Sequence, residues 1–188
     1  MKIIDGFLSV RTYADLREYA DISKFSDIKN EFDGVVYPKI CVEIPDHVRE
    51  EILAKLETWK GSKITGETMF MRQSPLGVEC PHKVHSDLSM GRYSLMLYLN
   101  RLEHCAGGTS FVSHIDTGIA YHPVWPGFVD IITAHQNLDE SWQVREIAHM
   151  IPNRAVIFDA GALHRAEPIG GFGSTPQDTR LVLTCFFS

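Results

Sequence analysis

The chain has 188 residues, of which 44% are hydrophobic and 22% charged, and its formal net charge is −6 at pH 7. This length predicts one domain, and the acidic balance disfavours a nucleic-acid-binding protein, because phosphate contacts need clustered lysine and arginine. No apolar stretch approaches the roughly 20 residues of a membrane span, and the first residues show no signal-peptide pattern, so we expect a cytoplasmic protein without a membrane partner.

The first 65 residues show a mixed pattern of helices and strands. Apolar residues at helical spacing predict a helix over Thr12–Ile22, and alternation predicts a strand over Tyr37–Ile44. The clearest helix is Pro45–Lys60, where an apolar stripe of Val48, Ile52, Leu56 and Trp59 ends before Gly61. We interpret residues 1–65 as an N-terminal α/β elaboration.

From residue 66 onward, short β-type segments alternate with glycine, proline, asparagine and aspartate. Strands are predicted at Met69–Gln73, Lys83–Asp87, Tyr93–Asn100, Thr109–His114, Val144–Met150, Arg154–Asp159, Leu163–Glu167 and Arg180–Phe187. Such a series is typical of a sandwich, a barrel or a jelly roll. We therefore predict a mainly β fold with N-terminal helices, in which 66–188 form the core of a single domain covering 1–188. Two segments do not fit: 116–139, where we expect a short helix, and the glycine-rich segment 168–179.

A candidate metal site begins with His85 and Asp87, which are two positions apart in a predicted strand. Residues at i and i+2 of a strand project from the same face, so both side chains could reach one ion. A distant histidine, His164, would complete a two-histidine, one-carboxylate set, which leaves open the coordination positions that Fe(II) oxygenases need. The pattern alone is weak evidence, because a second His-x-Asp occurs at His114 and Asp116.

The order of the surrounding motifs is more specific. After His85-Ser86-Asp87 come the Tyr98-Leu99-Asn100 strand end, Gly107-Gly108-Thr109, the apolar segment 152–159, His164 with Pro168, and Arg180 opening the last strand. This order resembles the Fe(II)/2-oxoglutarate-dependent dioxygenase superfamily, specifically its prolyl 4-hydroxylase-like branch. The resemblance covers roughly residues 70–188.

The resemblance implies a double-stranded β-helix, the jelly roll shared with cupins, with a metal between its sheets. It assigns Fe(II) to His85, Asp87 and His164, and the 2-oxoglutarate cosubstrate to Arg180, Tyr98 and Thr184. Arginine suits this role, because its guanidinium matches a carboxylate in a bidentate manner and keeps its charge. The branch usually has a tyrosine on the strand before His-x-Asp. This chain has none there, so Arg72 or Gln73 would have to replace it.

The activity implied by the resemblance is hydroxylation, by O₂ and 2-oxoglutarate, of a small molecule, an amino acid or a peptide side chain. Succinate and CO₂ are released, and ascorbate would serve as an accessory reductant. We expect the two irregular segments to govern the choice of substrate. The related nucleic-acid dealkylating branch is disfavoured, because Phe186 stands where that branch has a second arginine.

Two interpretations in which the protein is not an enzyme stay open. A non-catalytic cupin-like protein that binds a metal or ligand, and an interaction domain on a jelly-roll scaffold, would share the same fold, because a fold does not determine a function. Consumption of 2-oxoglutarate with Fe(II) would distinguish them from the enzyme. The sequence does not indicate an oligomeric state.

Overall fold

The computed structural model describes residues 1–31, 34–78 and 80–188. Within these ranges, the α-helices are α1 (Val10–Ile22), α2 (Asp46–Lys60) and α3 (Pro126–His135). The strands are β1 (Lys2–Ile4), β2 (Ser26–Lys29), β3 (Val36–Cys41), β4 (Glu67–Ser74), β5 (Tyr93–Tyr98), β6 (Gly108–His114), β7 (Trp142–His149), β8 (Ala155–Asp159), β9 (His164–Glu167) and β10 (Arg180–Phe187).

The two N-terminal helices have clear local causes. Helix α1 begins after Ser9, whose hydroxyl accepts a hydrogen bond from the Thr12 backbone N–H. Helix α2 ends at Gly61, which adopts a left-handed conformation with φ 76°. Its buried face is formed by Val48, Ile52 and Leu56. These helices confirm the predictions made from capping residues and apolar spacing.

The strands form two antiparallel sheets. The larger sheet has the order β1-β8-β5-β10-β4-β3-β2, and the smaller has the order β7-β6-β9. Strands β1 and β3 of the N-terminal segment pair with β8 and β4, so this segment extends the larger sheet on both sides. The sheets form the predicted jelly roll, while the domain boundary at residue 65 stays a prediction.

The central strand β10 separates two cores, because its side chains alternate between the two faces of the sheet. The face toward α1 and α2 carries Leu181, Leu183, Cys185 and Phe187, which belong to the core beneath the helices. The opposite face carries Arg180, Val182, Thr184 and Phe186, which line a cavity. Val182 also belongs to a second core, which contains Tyr98 and Phe158 of the larger sheet and Ala148 of the smaller. The alternation of β10 therefore points a charged residue and a hydroxyl into the interior between the sheets.

The structure departs from the sequence predictions at one functional segment. Lys83–Asp87 is not a strand; its one pairing within the described residues is an isolated bridge between His85 and His164. Neighbouring backbone groups bond elsewhere, since Val84 N–H donates to Gln136 O at 3.0 Å. Gln136 directly follows α3. This helix confirms the short helix expected within 116–139. The short strands β1 and β2 were not predicted.

In the described ranges, no helix combines the length and the apolar character that crossing a membrane would require.

Candidate active site

Backbone hydrogen bonds place the two candidate histidines side by side. The N–H of His85 donates to the carbonyl of His164 at 3.1 Å, and the N–H of His164 donates to the carbonyl of His85 at 3.0 Å. Asp87 is held by its own N–H, which donates to the carbonyl of Ala160 at 2.7 Å. The position of the His-x-Asp segment is thus set by β9 and the turn before it, and not by a strand of its own.

The side chains of these three residues converge on one point. Asp87 Oδ1 lies 3.6 Å from His85 Nε2, and Asp87 Oδ2 lies 3.4 Å from His164 Nε2. One ligand atom from each residue lies within 4.8 Å of the others. Ligands about 2.1 Å from an ion in adjacent octahedral positions are about 3 Å apart, so this spacing is close to that of a metal site. Among the described residues, no other group of three potential ligands meets this criterion.

Each ring nitrogen on the far side of these histidines has an acceptor. His85 Nδ1 lies 3.3 Å from the carbonyl of Lys83, and His164 Nδ1 lies 3.0 Å from the carbonyl of Ala162. A carbonyl only accepts, so the proton belongs on Nδ1 and the lone pair of Nε2 is left for a metal. Ser94 similarly donates its hydroxyl to Asp87 Oδ2 at 2.8 Å and orients the carboxylate. The donor set therefore fits a divalent ion.

The environment of His85 also keeps this side chain in the form that binds a metal. Burial, followed by the neighbouring His164, lowers the pKa of His85 to about 4. Neutral imidazole is the form that coordinates metals. Two aromatic rings, Phe111 and Phe158, pack near His164 with centroid distances of 6.2 and 4.8 Å. They limit the access of water to that ligand.

Arg180 is a buried cation without an anionic partner among the residues that the structure describes. Its side chain is among the largest fully buried ones in the chain, and its Nη2 donates to the carbonyl of Gly108 at 3.2 Å. Its buried Nε has no hydrogen-bond partner, and no salt bridge joins it to any residue that the structure describes. Burial lowers the pKa of Arg180 to about 10, which leaves it charged at neutral pH. An unpaired buried guanidinium is costly, so this arrangement suits a bound carboxylate.

The two hydroxyl residues expected near the cosubstrate differ in their surroundings. Thr184 lines the cavity on the same strand face as Arg180, and its Oγ1 lies 3.3 Å from Met96 Sδ. The hydroxyl of Tyr98 is fully buried, 2.9 Å from both Thr109 Oγ1 and the carbonyl of Ala148. Burial raises the pKa of Tyr98, so its hydroxyl stays protonated. A cosubstrate contact for Tyr98 stays a prediction and would require its hydroxyl to leave one of these partners.

The metal cluster and Arg180 face the same cavity, which has a volume of about 710 Å³. This volume is within the range of roughly 300–1,000 Å³ that is typical of ligand sites. Both irregular segments reach its wall. Segment 116–139 contributes Val129, Ile132 and Thr133 of α3 and the following Gln136, and the glycine-rich segment contributes Pro168, Ile169, Gly170 and Gly171.

The structure also distinguishes between candidate site residues that the sequence left as alternatives. Arg72 lines the cavity, whereas Gln73 alternates to the opposite face of β4 and is absent from the described cavity wall. The second His-x-Asp pair lies apart from the metal cluster: His114 is buried and bonds through its two ring nitrogens to Thr117 and His135. Sequence reasoning missed Ser94, because a serine inside an apolar strand carries no signal of its bond to Asp87.

This fold is that of the Fe(II)/2-oxoglutarate-dependent oxygenases, as comparison with solved structures shows. A prolyl hydroxylase from Trichoplax adhaerens, in complex with a hypoxia inducible factor peptide fragment, is 17% identical, with a TM-score of 0.56 over 99% of this chain and 82% of that one. A prolyl-4-hydroxylase from Pseudomonas putida is also 17% identical, with a TM-score of 0.52 over 99% and 91%.

A third structure, EctD from S. alaskensis with 2-oxoglutarate and 5-hydroxyectoine, is 10% identical, with a TM-score of 0.53 over 98% of this chain and 70% of that one. No protein-family model and no curated protein sequence matches the chain. At these identities, the likeness establishes the fold, and the activity must be argued from the site.

Proposed function

We propose that this protein is an Fe(II)- and 2-oxoglutarate-dependent dioxygenase that hydroxylates a small molecule, an amino acid or a peptide side chain. The observation that carries this proposal is that one cavity contains both a convergent His85, Asp87 and His164 cluster and the unpaired guanidinium of Arg180. A metal site alone would also fit a cupin-like binding protein. The buried cation adds a second requirement, for an anion, which 2-oxoglutarate satisfies.

In this proposal, the protein binds and orients the reactants. His85, Asp87 and His164 hold Fe(II), and Ser94 fixes the direction of the Asp87 carboxylate. When bound, the iron with 2-oxoglutarate and O₂ supplies the oxidising power for C–H hydroxylation, with succinate and CO₂ as co-products. Arg180 holds the distal carboxylate of 2-oxoglutarate.

The remaining wall restricts water and admits the substrate. Phe111 and Phe158 cover one side of the His164 ring, and Val129, Ile132 and Thr133 of α3 line the cavity. Thr184, on the same strand face as Arg180, would support the cosubstrate, and Tyr98 would add a second hydroxyl after a side-chain movement. Similar structures contain a peptide fragment in one case and 5-hydroxyectoine in another, and the proposal includes both peptides and small molecules as substrates.

The test is consumption of 2-oxoglutarate by anaerobically loaded Fe(II) protein after admission of O₂, measured as succinate formed with and without ascorbate. The wild type is expected to form succinate slowly without substrate. The His164→Ala variant is expected to form none. His149→Ala is the matched control, because it removes an exposed imidazole from β7. A wild-type protein that binds Fe(II) but neither binds nor consumes 2-oxoglutarate would instead be a metal-binding protein of the cupin kind.

A further inference from the structure

A second arginine, Arg72, lies beside Arg180 on the cavity wall. In the pairing of β10 with β4, Arg180 is opposite Ser74, and Arg72 is two residues further along β4 on the same face. Diagonal neighbours of this kind lie about 7–8 Å apart at the backbone, within reach of long side chains. Both arginine side chains therefore line the same cavity.

The guanidinium of Arg72 has an unused hydrogen-bonding edge. Its Nη1 contacts Cys80 Sγ at 3.5 Å, which is a weak interaction. Its Nε is buried, and no partner for it exists among the described residues. The Nε and Nη2 hydrogens form a fork that matches the two oxygens of a carboxylate. The edge of Arg72 formed by Nε and Nη2 thus has no partner among the described residues, on a side chain that lines the cavity.

The other cations on this wall are already neutralised. In the described part of the chain, the lysine and arginine residues that line the cavity are Arg72, Lys83, Arg165 and Arg180. Lys83 Nζ lies 3.5 Å from Asp139 Oδ2, and Arg165 Nε donates to Glu167 Oε1 at 2.8 Å. Neither Arg72 nor Arg180 has a carboxylate partner within the described ranges.

When the charges of the proposed complex are added, the positive charge of Arg72 is in excess. A divalent ion bound to Asp87 carries a net charge of +1, and Arg180 adds another, so together they balance the two negative charges of 2-oxoglutarate. The one carboxylate on the described cavity wall, that of Asp87, is then used. Among the described residues, Arg72 then has no anion to balance its charge, which is unfavourable for a partly buried guanidinium unless a further anion binds.

The cavity also continues past Arg72, away from Arg180. Arg72 pairs with Ile40 of β3, and the wall beyond it includes Ile40, Val42 and Ile28. These side chains suit an apolar body attached to the charged group. The space is therefore arranged for a molecule with one anionic end and an apolar remainder.

We propose that Arg72 binds a carboxylate of the substrate, so that the substrate is an organic acid with an apolar body and not a neutral or cationic molecule. A single carboxylate balances the excess charge, whereas a phosphate monoester, with about −1.5 to −2 charges, would exceed it. This inference rests on the proposed function, because the charge balance assumes that Fe(II) and 2-oxoglutarate are bound. It names Arg72 as a residue that determines substrate class.

The test follows the arginine Nε–H signals by ¹⁵N nuclear magnetic resonance in protein loaded with Zn(II), which is diamagnetic. The signals of Arg72 and Arg180 are identified by their loss in Arg72→Lys and Arg180→Lys. N-oxalylglycine, an unreactive analogue of 2-oxoglutarate, is added first and is expected to move the Arg180 signal and leave the Arg72 signal in place. Benzoate added next is expected to move the Arg72 signal, while its neutral counterpart benzamide does not.

The variants provide a second measurement. Arg72→Gln is expected to weaken benzoate binding at least about tenfold and to change the affinity for N-oxalylglycine by less than about twofold. Arg145→Gln, which removes an exposed guanidinium from β7, controls for the change in net charge and should leave both affinities unchanged.

Three outcomes would overturn the inference: N-oxalylglycine alone moves the Arg72 signal as far as that of Arg180, benzamide acts like benzoate, or benzoate leaves Arg72 unmoved. The first would make Arg72 part of the cosubstrate site. If N-oxalylglycine fails to move Arg180, the proposed cosubstrate site itself is refuted. The benzoate and benzamide comparison then still decides whether Arg72 binds carboxylates.

Discussion

His85 and His164 are joined by two reciprocal backbone hydrogen bonds, at 3.1 and 3.0 Å, although they belong to distant parts of the chain. Two of the three candidate metal ligands are therefore positioned by main-chain atoms. Because these bonds do not involve the imidazoles, a ligand side chain can be removed without breaking the bridge. The metal site can thus be tested by substitution without loss of the fold.

The first prediction concerns the ligands themselves. His164→Ala is expected to lower Fe(II) affinity by more than about 100-fold, since loss of an outer partner alone costs about 10- to 100-fold. Succinate formation should stop, while the circular dichroism spectrum stays that of the wild type. Anaerobic Fe(II) titration measures the affinity. Full activity in His164→Ala would contradict the assignment.

The second prediction separates the two His-x-Asp patterns. His114 is buried and bonds to His135 Nδ1 at 2.7 Å and Thr117 Oγ1 at 3.1 Å. His114→Ala is therefore expected to lower the free energy of unfolding by about 1–3 kcal/mol and to keep Fe(II) affinity within a few-fold. Urea unfolding and Fe(II) titration of the same samples give both values. Loss of iron from His114→Ala, with iron retained by His85→Ala, would reverse the ligand assignment.

The third prediction concerns Ser94, which donates to Asp87 Oδ2 at 2.8 Å in a fully buried position. Ser94→Ala removes this bond and is expected to weaken metal binding by about 10- to 100-fold. Ser110→Ala is the matched control, because it removes a buried hydroxyl that donates to Glu167 and not to a ligand. Equal Fe(II) affinities in the two variants would show that Asp87 needs no such support.

The fourth prediction concerns Arg180. Arg180→Gln is expected to weaken 2-oxoglutarate binding by about 2–5 kcal/mol, the usual cost of removing one partner of a buried charge pair, with little change in metal affinity. Calorimetry on the Zn(II) protein measures both. Since the pKa of Arg180 is lowered to about 10, the cation is present below that pH. Binding should therefore be constant from neutral pH to about 9 and weaken as the pH rises through 10.

The fifth prediction uses two adjacent glycines of the glycine-rich segment. Gly171 has φ 72°, and a Cβ added there would lie 2.3 Å from the Ser74 carbonyl oxygen. Gly170 has φ 82°, but a Cβ would meet nothing within 4 Å. Gly171→Ala should therefore displace the segment, whereas Gly170→Ala incurs only backbone strain of about 1–3 kcal/mol.

The effect of Gly171→Ala should reach the cosubstrate site. Phe172, the next residue, accepts a hydrogen bond from the Arg180 N–H at 3.2 Å, so a displaced segment moves the start of β10. Weaker 2-oxoglutarate binding is expected in Gly171→Ala than in Gly170→Ala, by calorimetry. If both variants bind 2-oxoglutarate equally, this segment does not support the position of Arg180.

The elements whose cause is local could be predicted from the amino-acid sequence. Apolar spacing predicted α1, spacing together with Gly61 predicted α2, and a strand-length apolar run predicted β10, whose two faces separate the helical core from the cavity. Motif order singled out His85, Asp87 and His164, which the structure places together. These features could be predicted because each depends on residues close together in the chain or on a recognisable order.

Features that join distant residues depend on the three-dimensional fold and could not be predicted. The bridge to His164 replaced the strand expected at Lys83–Asp87, because the backbone of that segment bonds to β9 and to the end of α3. Salt bridges with Asp139 and Glu167 neutralise Lys83 and Arg165 and leave Arg72 and Arg180 as the cations without carboxylate partners among the described residues. Charge pairing depends on the distances between side chains in space, and these distances cannot be read from the amino-acid sequence.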